Sequence, residues 1–132
     1  WTAGQVGEHL FKSDSAILNA LHGPVKETKR DPDKYVDEIN GQFLDFSTKM
    51  QAPEIIIPAN DVNHDKATLV MALKSNRELI GKAIRSLDLS LTCTDPVMSG
   101  IVGKWTRKEY INFVISHTYR HIHQLKKIHN NL

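Results

Sequence analysis

The sequence contains one cysteine in 132 residues, and it contains no long hydrophobic run. Cys93 cannot close a disulfide within the chain, which argues against a disulfide-stapled secreted scaffold and favours a reducing compartment. No stretch approaches 18 consecutive apolar residues, so no segment is predicted to span a bilayer. We therefore expect a soluble cytoplasmic protein without a membrane partner.

An excess of charge of one sign is also missing. Lys and Arg number 17 against 15 for Asp and Glu, which gives a formal net charge of +2. This balance does not by itself indicate a nucleic-acid-binding protein. With 24% charged and 40% hydrophobic residues, the composition is typical of a compact domain, and the length is too short for two ordinary ones. The sequence predicts one domain over residues 1–132.

Two segments carry the same helix-start signature. In each, a Trp can pack as a hydrophobic staple, a Thr can cap the helix, and a Gln or Glu three residues later can close a capping box. These residues are Trp1, Thr2 and Gln5 in the first segment and Trp105, Thr106 and Glu109 in the second. The first helix should end at Gly23, in the left-handed conformation, before Pro24. The last helix should run to about His129.

Two further helices are predicted between these. Residues 31–33 offer a cap for a second helix to about residue 50, with an apolar stripe of Ile39, Phe43, Phe46 and Met50. Residues 65–87 predict a third helix, whose apolar face is Leu69, Val70, Leu73, Ile80, Ala83, Ile84 and Leu87. Residues 51–63 should form an extended loop with its isoleucines packed inward, and residues 88–104 a long connection. Strand alternation is absent, which predicts an all-α bundle.

The last predicted helix carries two histidines four residues apart. The rings of His117 and His121 leave one face of the helix and can converge on a single ion. Phe113 and Gln124 lie on the same stripe, which predicts that both imidazoles point toward the core. Because buried imidazoles need partners, this stripe is a candidate metal site.

His9 on the first helix is the third candidate ligand. Val6, Ser13 and Ile17 flank it at helical spacing on the predicted packing side. Because neighbouring helix axes lie about 8–10 Å apart, one imidazole from the first helix and two from the last can meet at one ion. Histidines satisfied within the core are the alternative interpretation.

These residues resemble the DinB/YfiT-like superfamily. Trp1-Thr2-x-x-Gln5-Val6-x-Glu8-His9-Leu10 is similar to its W-S-x-x-E-h-x-x-H-L segment, where h is apolar, and His117-x-x-Arg120-His121-x-x-Gln124 to its H-x-x-R-H-x-x-Q helix. Trp105-Thr106-x-x-Glu109 is similar to the L-T-x-x-E start of that helix. The similarity runs from Trp1 to about Ile128.

The resemblance implies a four-helix bundle, often dimeric, that holds a divalent metal ion, commonly zinc or nickel. Its ligands here would be His9, His117 and His121. It implies a small-molecule substrate, and relatives include thiol S-transferases and isomerases that use low-molecular-weight thiols, as well as candidate metal-dependent hydrolases. It also implies a further helix before Trp1, in which case residues 31–50 form a connecting helix across the bundle.

The sequence also suggests roles for four other side chains. Arg120 is expected either to clamp a substrate carboxylate or to form a salt bridge. Gln124 is expected to orient a ligand, water or substrate, or else to pack as an amide between helices. Glu8 is expected in solvent or beside the ligands rather than as a general base, and Cys93 as an incidental thiol in a loop.

Two other functions compete with a metal-dependent enzyme. The first is a noncatalytic bundle that binds a metal or another ligand. The second is nucleic-acid binding, because residues 104–129 carry six basic residues and one acidic residue. No aromatic platform or recognition motif interleaves those charges, which favours a solvated helix face.

Overall fold

A computed structural model describes residues 1–60, 62–95 and 105–132 of the chain. The helices are α1 (Ala3–His22), α2 (Val36–Phe43), α3 (Lys66–Ser86) and α4 (Arg107–Asn130), with a 3-10 turn at Glu54–Ile56 and the short strands β1 (Val25–Lys26) and β2 (Thr92–Cys93). The protein is an all-α bundle, as the sequence predicts. None of the described helices has both the length and the apolar character needed to cross a membrane.

Both predicted capping boxes are present. The backbone N–H of Gln5 donates to the Thr2 hydroxyl over 3.1 Å, and the Thr2 N–H donates to the Gln5 side chain over 2.8 Å. Thr106 and Glu109 make the same reciprocal bonds at the start of α4, over 3.2 and 2.9 Å. These bonds satisfy N–H groups that have no partner inside a helix. They therefore fix the starts of the two helices that carry the histidines.

The end of α1 was placed correctly, but the predicted conformation of Gly23 was wrong. Gly23 has φ −80° and ψ −169°, which is extended backbone and not the left-handed region. A Cβ at this position would lie 3.0 Å from the carbonyl oxygen of Asn19. Close approach to the preceding helical turn, rather than a positive φ, is therefore what favours glycine here.

The core lies between α1, α3 and α4. Its buried residues include Ile17, Ala20 and Leu21 from α1, Ile80 and Ala83 from α3, and Tyr110, Phe113 and Val114 from α4. A polar bridge connects the same three helices, because Arg77 of α3 donates to Asp14 over 2.6 Å and to Thr118 over 2.8 Å. Burial raises the pKa of Asp14, and the hydrogen bond from Arg77 opposes that rise. The bundle therefore fixes the orientation of α1 relative to α4.

The predicted second helix is shorter than expected at both ends. Its start is displaced because Asp31 accepts a hydrogen bond from the backbone N–H of Asp33, which forms a turn instead of a cap. Its end is displaced because the Asp45 carboxylate accepts hydrogen bonds from Ser47 and Thr48. Such local side-chain bonds compete with helical backbone bonds. The helix therefore ends at Phe43, and residues 44–50 form a separate segment.

Two predictions about apolar side chains were correct only in part: the inward packing of the isoleucines in residues 51–63 and the apolar face of the third helix. Ile56 is buried, but Ile55 and Ile57 are 50% and 44% exposed, because residues 54–56 form a 3-10 turn that directs neighbouring side chains apart. The third helix spans Lys66–Ser86, close to the predicted 65–87, and Asp65 caps its start. On its predicted apolar face, however, Val70 and Ile84 are exposed. The further helix expected before Trp1 stays a prediction.

The described residues include a two-stranded ribbon, which the sequence did not predict because it lacks strand alternation. β1 and β2 are antiparallel, with Val25 opposite Cys93 and Lys26 opposite Thr92. Cys93 is therefore in a strand and not in a loop. The second half of the predicted connection over residues 88–104 lies outside the described residues.

Candidate metal centre

Three buried imidazoles meet between α1 and α4. Nε2 of His117 lies 2.9 Å from Nε2 of His9 and 2.9 Å from Nε2 of His121. His9, His117 and His121 are 2%, 5% and 8% exposed, respectively. Among the described residues, the ligand atoms of these three histidines lie within 4.8 Å of one another, close enough to hold one metal ion. The structure thus brings together the three histidines that the sequence singled out.

The helical pattern explains why these side chains converge. On α1, Val6, Ser13 and Ile17 are buried beside His9, so the predicted packing side is correct. On α4, Phe113 is buried and its ring stacks on that of His117 at 4.8 Å between centroids. Side chains at positions i and i+4 of a helix lie one above the other. The packing of α1 on α4 therefore brings His9 against the pair.

Hydrogen bonds at the outer ring nitrogens fix the tautomers of two histidines. Nδ1 of His9 lies 2.8 Å from the carbonyl oxygen of Ile56, and because that oxygen can only accept, Nδ1 carries the proton. Nδ1 of His121 lies 2.7 Å from Oε1 of Gln124 and donates in the same way. In the neutral rings, both Nε2 atoms then present lone pairs to His117. Lone pairs directed inward are what a metal ion requires.

Hydrogen bonding among the three rings cannot satisfy all of these lone pairs. Nε2 of His117 can hold one proton at most, so it can donate to His9 or to His121 but not to both. The other ring, whose Nε2 also lies 2.9 Å away, is then left with a lone pair that receives no proton. A cation bound about 2.1 Å from each nitrogen separates its ligand atoms by roughly 3.3 Å, an expansion of a few tenths of an ångström. The donor set therefore fits a divalent metal ion.

The surroundings keep the three rings uncharged. Burial lowers the pKa of His117 to about 2, and the neighbouring His121 and His9 lower it further. Burial lowers the pKa of His121 to about 4, although its bond to Gln124 opposes the change. Burial also lowers the pKa of His9, against the opposing effect of the Ile56 carbonyl. Neutral imidazole is the form that ligates metals.

Trp1 lies against this cluster. Its ring centroid is 5.0 Å from that of His9 and 6.4 Å from that of His121. The planes of the Trp1 and His121 rings are 16° apart. Trp1 is 48% exposed. Its predicted role as a staple on Val6 stays a prediction, and the contact with the histidines was not anticipated. Trp1 shields one side of the cluster from solvent.

Within the described residues, Arg120 forms no salt bridge with a carboxylate. Its guanidinium donates to the carbonyl oxygens of Asp45 and Thr48, the former over 2.8 Å. It therefore fastens the segment after α2 to α4, beside His121. This role was not predicted, because the second helix was expected to continue through both carbonyls.

Glu8 fastens a second segment to the site. Its carboxylate accepts hydrogen bonds from His64 over 2.6 Å and from the backbone N–H of Ala59 over 3.2 Å, and it pairs with Lys12 at 3.0 Å. Partial burial would raise the pKa of Glu8, but the bonds from Lys12, Ala59 and His64 lower it to about 2. Sequence reasoning missed His64, which lies 56 residues away with no helical spacing to reveal it.

A cavity of about 280 Å³ adjoins the three imidazoles. Its wall includes the apolar side chains of Phe43, Met50, Pro53, Ile56, Trp105 and Phe113. Met50 was expected within the stripe of a continuous helix, whereas it lies on the segment that Arg120 holds. The histidines thus stand at the wall of a space that can admit a small molecule.

Cys93 and two basic residues of the last helix contribute to the structure of the bundle rather than to the histidine cluster. Burial raises the pKa of the Cys93 thiol to about 11, although Arg107 opposes the rise, so the thiol is not a ready nucleophile. Among the basic residues of the last helix, Arg107 is buried and donates to the carbonyl oxygens of Leu21 and Asp88. Lys108 pairs with Asp33 at 2.9 Å. Part of the basic excess is therefore already engaged within the bundle.

Together these features define a helical bundle with a buried three-histidine cluster compatible with metal binding. The family model of the DinB superfamily matches residues 1–125. The chain therefore belongs to the DinB superfamily, as its motifs predicted. No curated protein and no solved structure matches the chain.

Proposed function

We propose that this protein is a metal-dependent enzyme that activates a thiol or water, either for thiol S-transfer to a small electrophile or for hydrolysis. The observation that carries the proposal is the convergence of three neutral, buried Nε2 atoms beside a cavity. His9, His117 and His121 would hold the ion, with zinc and nickel as the first candidates.

The chemistry that the ion would supply follows from the charge of its ligands. Held by three neutral imidazoles, a divalent cation keeps its full charge and lowers the pKa of a thiol or a water molecule toward neutrality. Three protein ligands are typical of catalytic rather than closed structural zinc sites. This count supports a catalytic role over a purely structural one.

The protein's own groups would orient this centre. The Ile56 carbonyl and Gln124 hold the protons at Nδ1 of His9 and His121, which keeps both Nε2 atoms available. Phe43, Trp105 and Phe113 provide apolar walls beside the imidazoles, and such walls limit access of water. Arg120 holds the segment that includes Met50 over the same space.

A turnover assay tests the proposal. The purified protein is loaded with zinc or nickel and offered a panel of low-molecular-weight thiols with electrophilic acceptors, and separately a panel of small esters and amides. We expect turnover that a chelator abolishes and that added metal restores, and we expect His121→Ala to be inactive. Turnover that chelator does not change would refute the mechanism. Metal binding without turnover on any panel would favour a noncatalytic metal-binding bundle.

The homodimer implied by the family resemblance is also proposed for this chain. The described residues include exposed apolar side chains on α4, namely Ile115, Tyr119 and Ile122. Light scattering at micromolar concentration is expected to give twice the chain mass of 14.9 kDa. A monomer mass across that range would contradict the expectation.

A further inference from the structure

The walls of the cavity beside the histidines are largely apolar. Seven apolar side chains contribute to them, and three of these are aromatic: Phe43, Trp105 and Phe113. The rings of Phe43 and Phe113 meet edge to face at 4.9 Å between centroids. Neighbouring aromatic rings in such an arrangement provide a rigid apolar surface.

Charge is nearly absent from these walls. Arg120 is the one residue with a permanent charge among the described lining residues, and its guanidinium is bound to the carbonyl oxygens of Asp45 and Thr48. A charged group on the part of a ligand that lies away from the imidazoles would lose its hydration without a matching partner, which is costly.

Ser13 supplies a polar group that can select a ligand. It is 2% exposed and lines the cavity one helical turn after His9. Its hydroxyl makes no hydrogen bond to any other part of the described chain. The hydroxyl can therefore bind one polar atom of a bound molecule.

The volume limits the size of that molecule. An apolar cavity of about 150 Å³ holds one benzene molecule. The cavity of about 280 Å³ therefore accommodates one ring or a fused pair of rings, and not an extended polar molecule such as a peptide.

We propose that the cavity binds the apolar body of the substrate, uncharged and of monocyclic to fused bicyclic size, with the reacting atom facing the three imidazoles. This inference rests on the proposed function and names the substrate class for it. A second cavity on the other side of Arg120 and His121 is lined by Lys49 and Lys127. In the metal-free protein, anionic compounds therefore have a more favourable place to bind than the apolar cavity.

Naphthalene and 2-naphthoate test the proposal because they share one ring system and differ in charge. Neither carries a thiol, so each reports on the cavity without requiring the metal. We expect naphthalene to bind both the metal-free and the zinc-loaded protein, and 2-naphthoate to bind the cavity of the metal-free protein at least about tenfold more weakly than naphthalene. Nuclear Overhauser contacts should join naphthalene to the Met50 methyl group and the Phe113 ring.

A pair of substitutions provides the matched control. Ala52 lines the cavity from the segment after α2, whereas Ala67 is exposed on α3. Ala52→Trp should fill the cavity and weaken naphthalene binding by about tenfold or more. Ala67→Trp should leave it unchanged.

The outcomes separate this inference from the proposed function. Absence of naphthalene binding, contacts only to residues elsewhere, or a preference for 2-naphthoate in this cavity of the metal-free protein would overturn the inference, even if zinc binds normally. Failure of zinc to bind would overturn the proposed function, while naphthalene binding would still support the cavity assignment. Because the contacts are measured on the unmodified chain, the test does not depend on Ala52→Trp folding.

Discussion

Nδ1 of His9 lies 2.8 Å from the carbonyl oxygen of Ile56, so the ring of a residue on α1 is oriented by the 3-10 turn at Glu54–Ile56. A carbonyl accepts a hydrogen bond but cannot donate one, which places the proton on Nδ1. Nε2 of His9 is left with its lone pair directed at His117. The main chain of a connecting segment thus decides which nitrogen is available to a metal ion.

The tautomer state of the metal-free protein can be measured directly. We predict that His9 and His121 are both protonated at Nδ1, because Ile56 and Gln124 hold that proton. Long-range proton–nitrogen correlation spectra distinguish the two neutral tautomers of each ring. Protonation of His9 at Nε2 in these spectra would contradict the arrangement, and the exposed His129 serves as the reference ring.

Gln124→Ala should weaken metal binding without removing a ligand. Its Oε1 accepts the Nδ1 proton of His121 over 2.7 Å, and loss of such a partner typically costs about 10–100-fold in metal affinity. Competition with a chromophoric chelator measures this change. Gln124→Glu keeps an acceptor oxygen and should recover most of the affinity. The exposed Lys126→Ala should match the wild type, and equal affinity for Gln124→Ala would contradict the role of Gln124.

Glu8 should stabilise the fold only above a defined pH. Hydrogen bonds lower its pKa from 4.5 to about 2 in the folded state. A depressed carboxyl pKa contributes stability that is fully present above about pH 4.5 and is lost as the pH falls toward 2. The stability advantage of metal-free wild type over Glu8→Gln should therefore shrink across this interval.

Urea denaturation at pH 7, 4 and 3 measures that difference. The exposed Glu78→Gln gives the matched control, because it removes a carboxylate from the surface of α3. An advantage over Glu8→Gln that stays constant from pH 7 to 3 would show that Glu8 does not fasten residues 59–64 to α1 as described.

Glu109 should be among the most sensitive positions for stability. It is fully buried, and its carboxylate accepts bonds from Arg30 over 2.7 Å, from the Tyr35 N–H over 2.6 Å and from the Thr106 N–H over 2.9 Å. Glu109→Ala leaves these donors without their carboxylate, and we expect it to lower the free energy of unfolding by about 3–5 kcal/mol.

The neighbouring Lys108→Ala is the control for Glu109. Its pair with Asp33 is exposed on both sides, so the cost should not exceed about 1 kcal/mol. Chemical denaturation of the metal-free proteins measures both values. Similar costs for the two variants would mean that the buried network contributes little.

The parts of the fold that could be predicted are those governed by local chemistry. Thr2 with Gln5, and Thr106 with Glu109, carry their helix-start signals within four residues. The facing of His9, His117 and His121 toward the core follows from helical spacing. Because these signals are local, the helices that position the cluster could be derived from sequence.

The parts that could not be predicted depend on contacts between distant segments. The second helix ends at Phe43 because Asp45 forms a local turn and Arg120, 75 residues away, binds the Asp45 carbonyl. Ile56 lies 47 residues from its partner His9, and His64 lies 56 residues from its partner Glu8. No periodicity connects residues so far apart. The orientation of His9 by the turn that contains Ile56 could therefore be seen only in the structure.

The metal content of untagged protein tests the central claim most directly. Elemental analysis of the wild type should find about one divalent ion per chain, and His9→Ala, His117→Ala and His121→Ala should each lose most of it. His123→Ala should keep it, because that ring stacks on Phe46 outside the cluster. Equal metal content in the wild type and the three cluster variants would contradict the account.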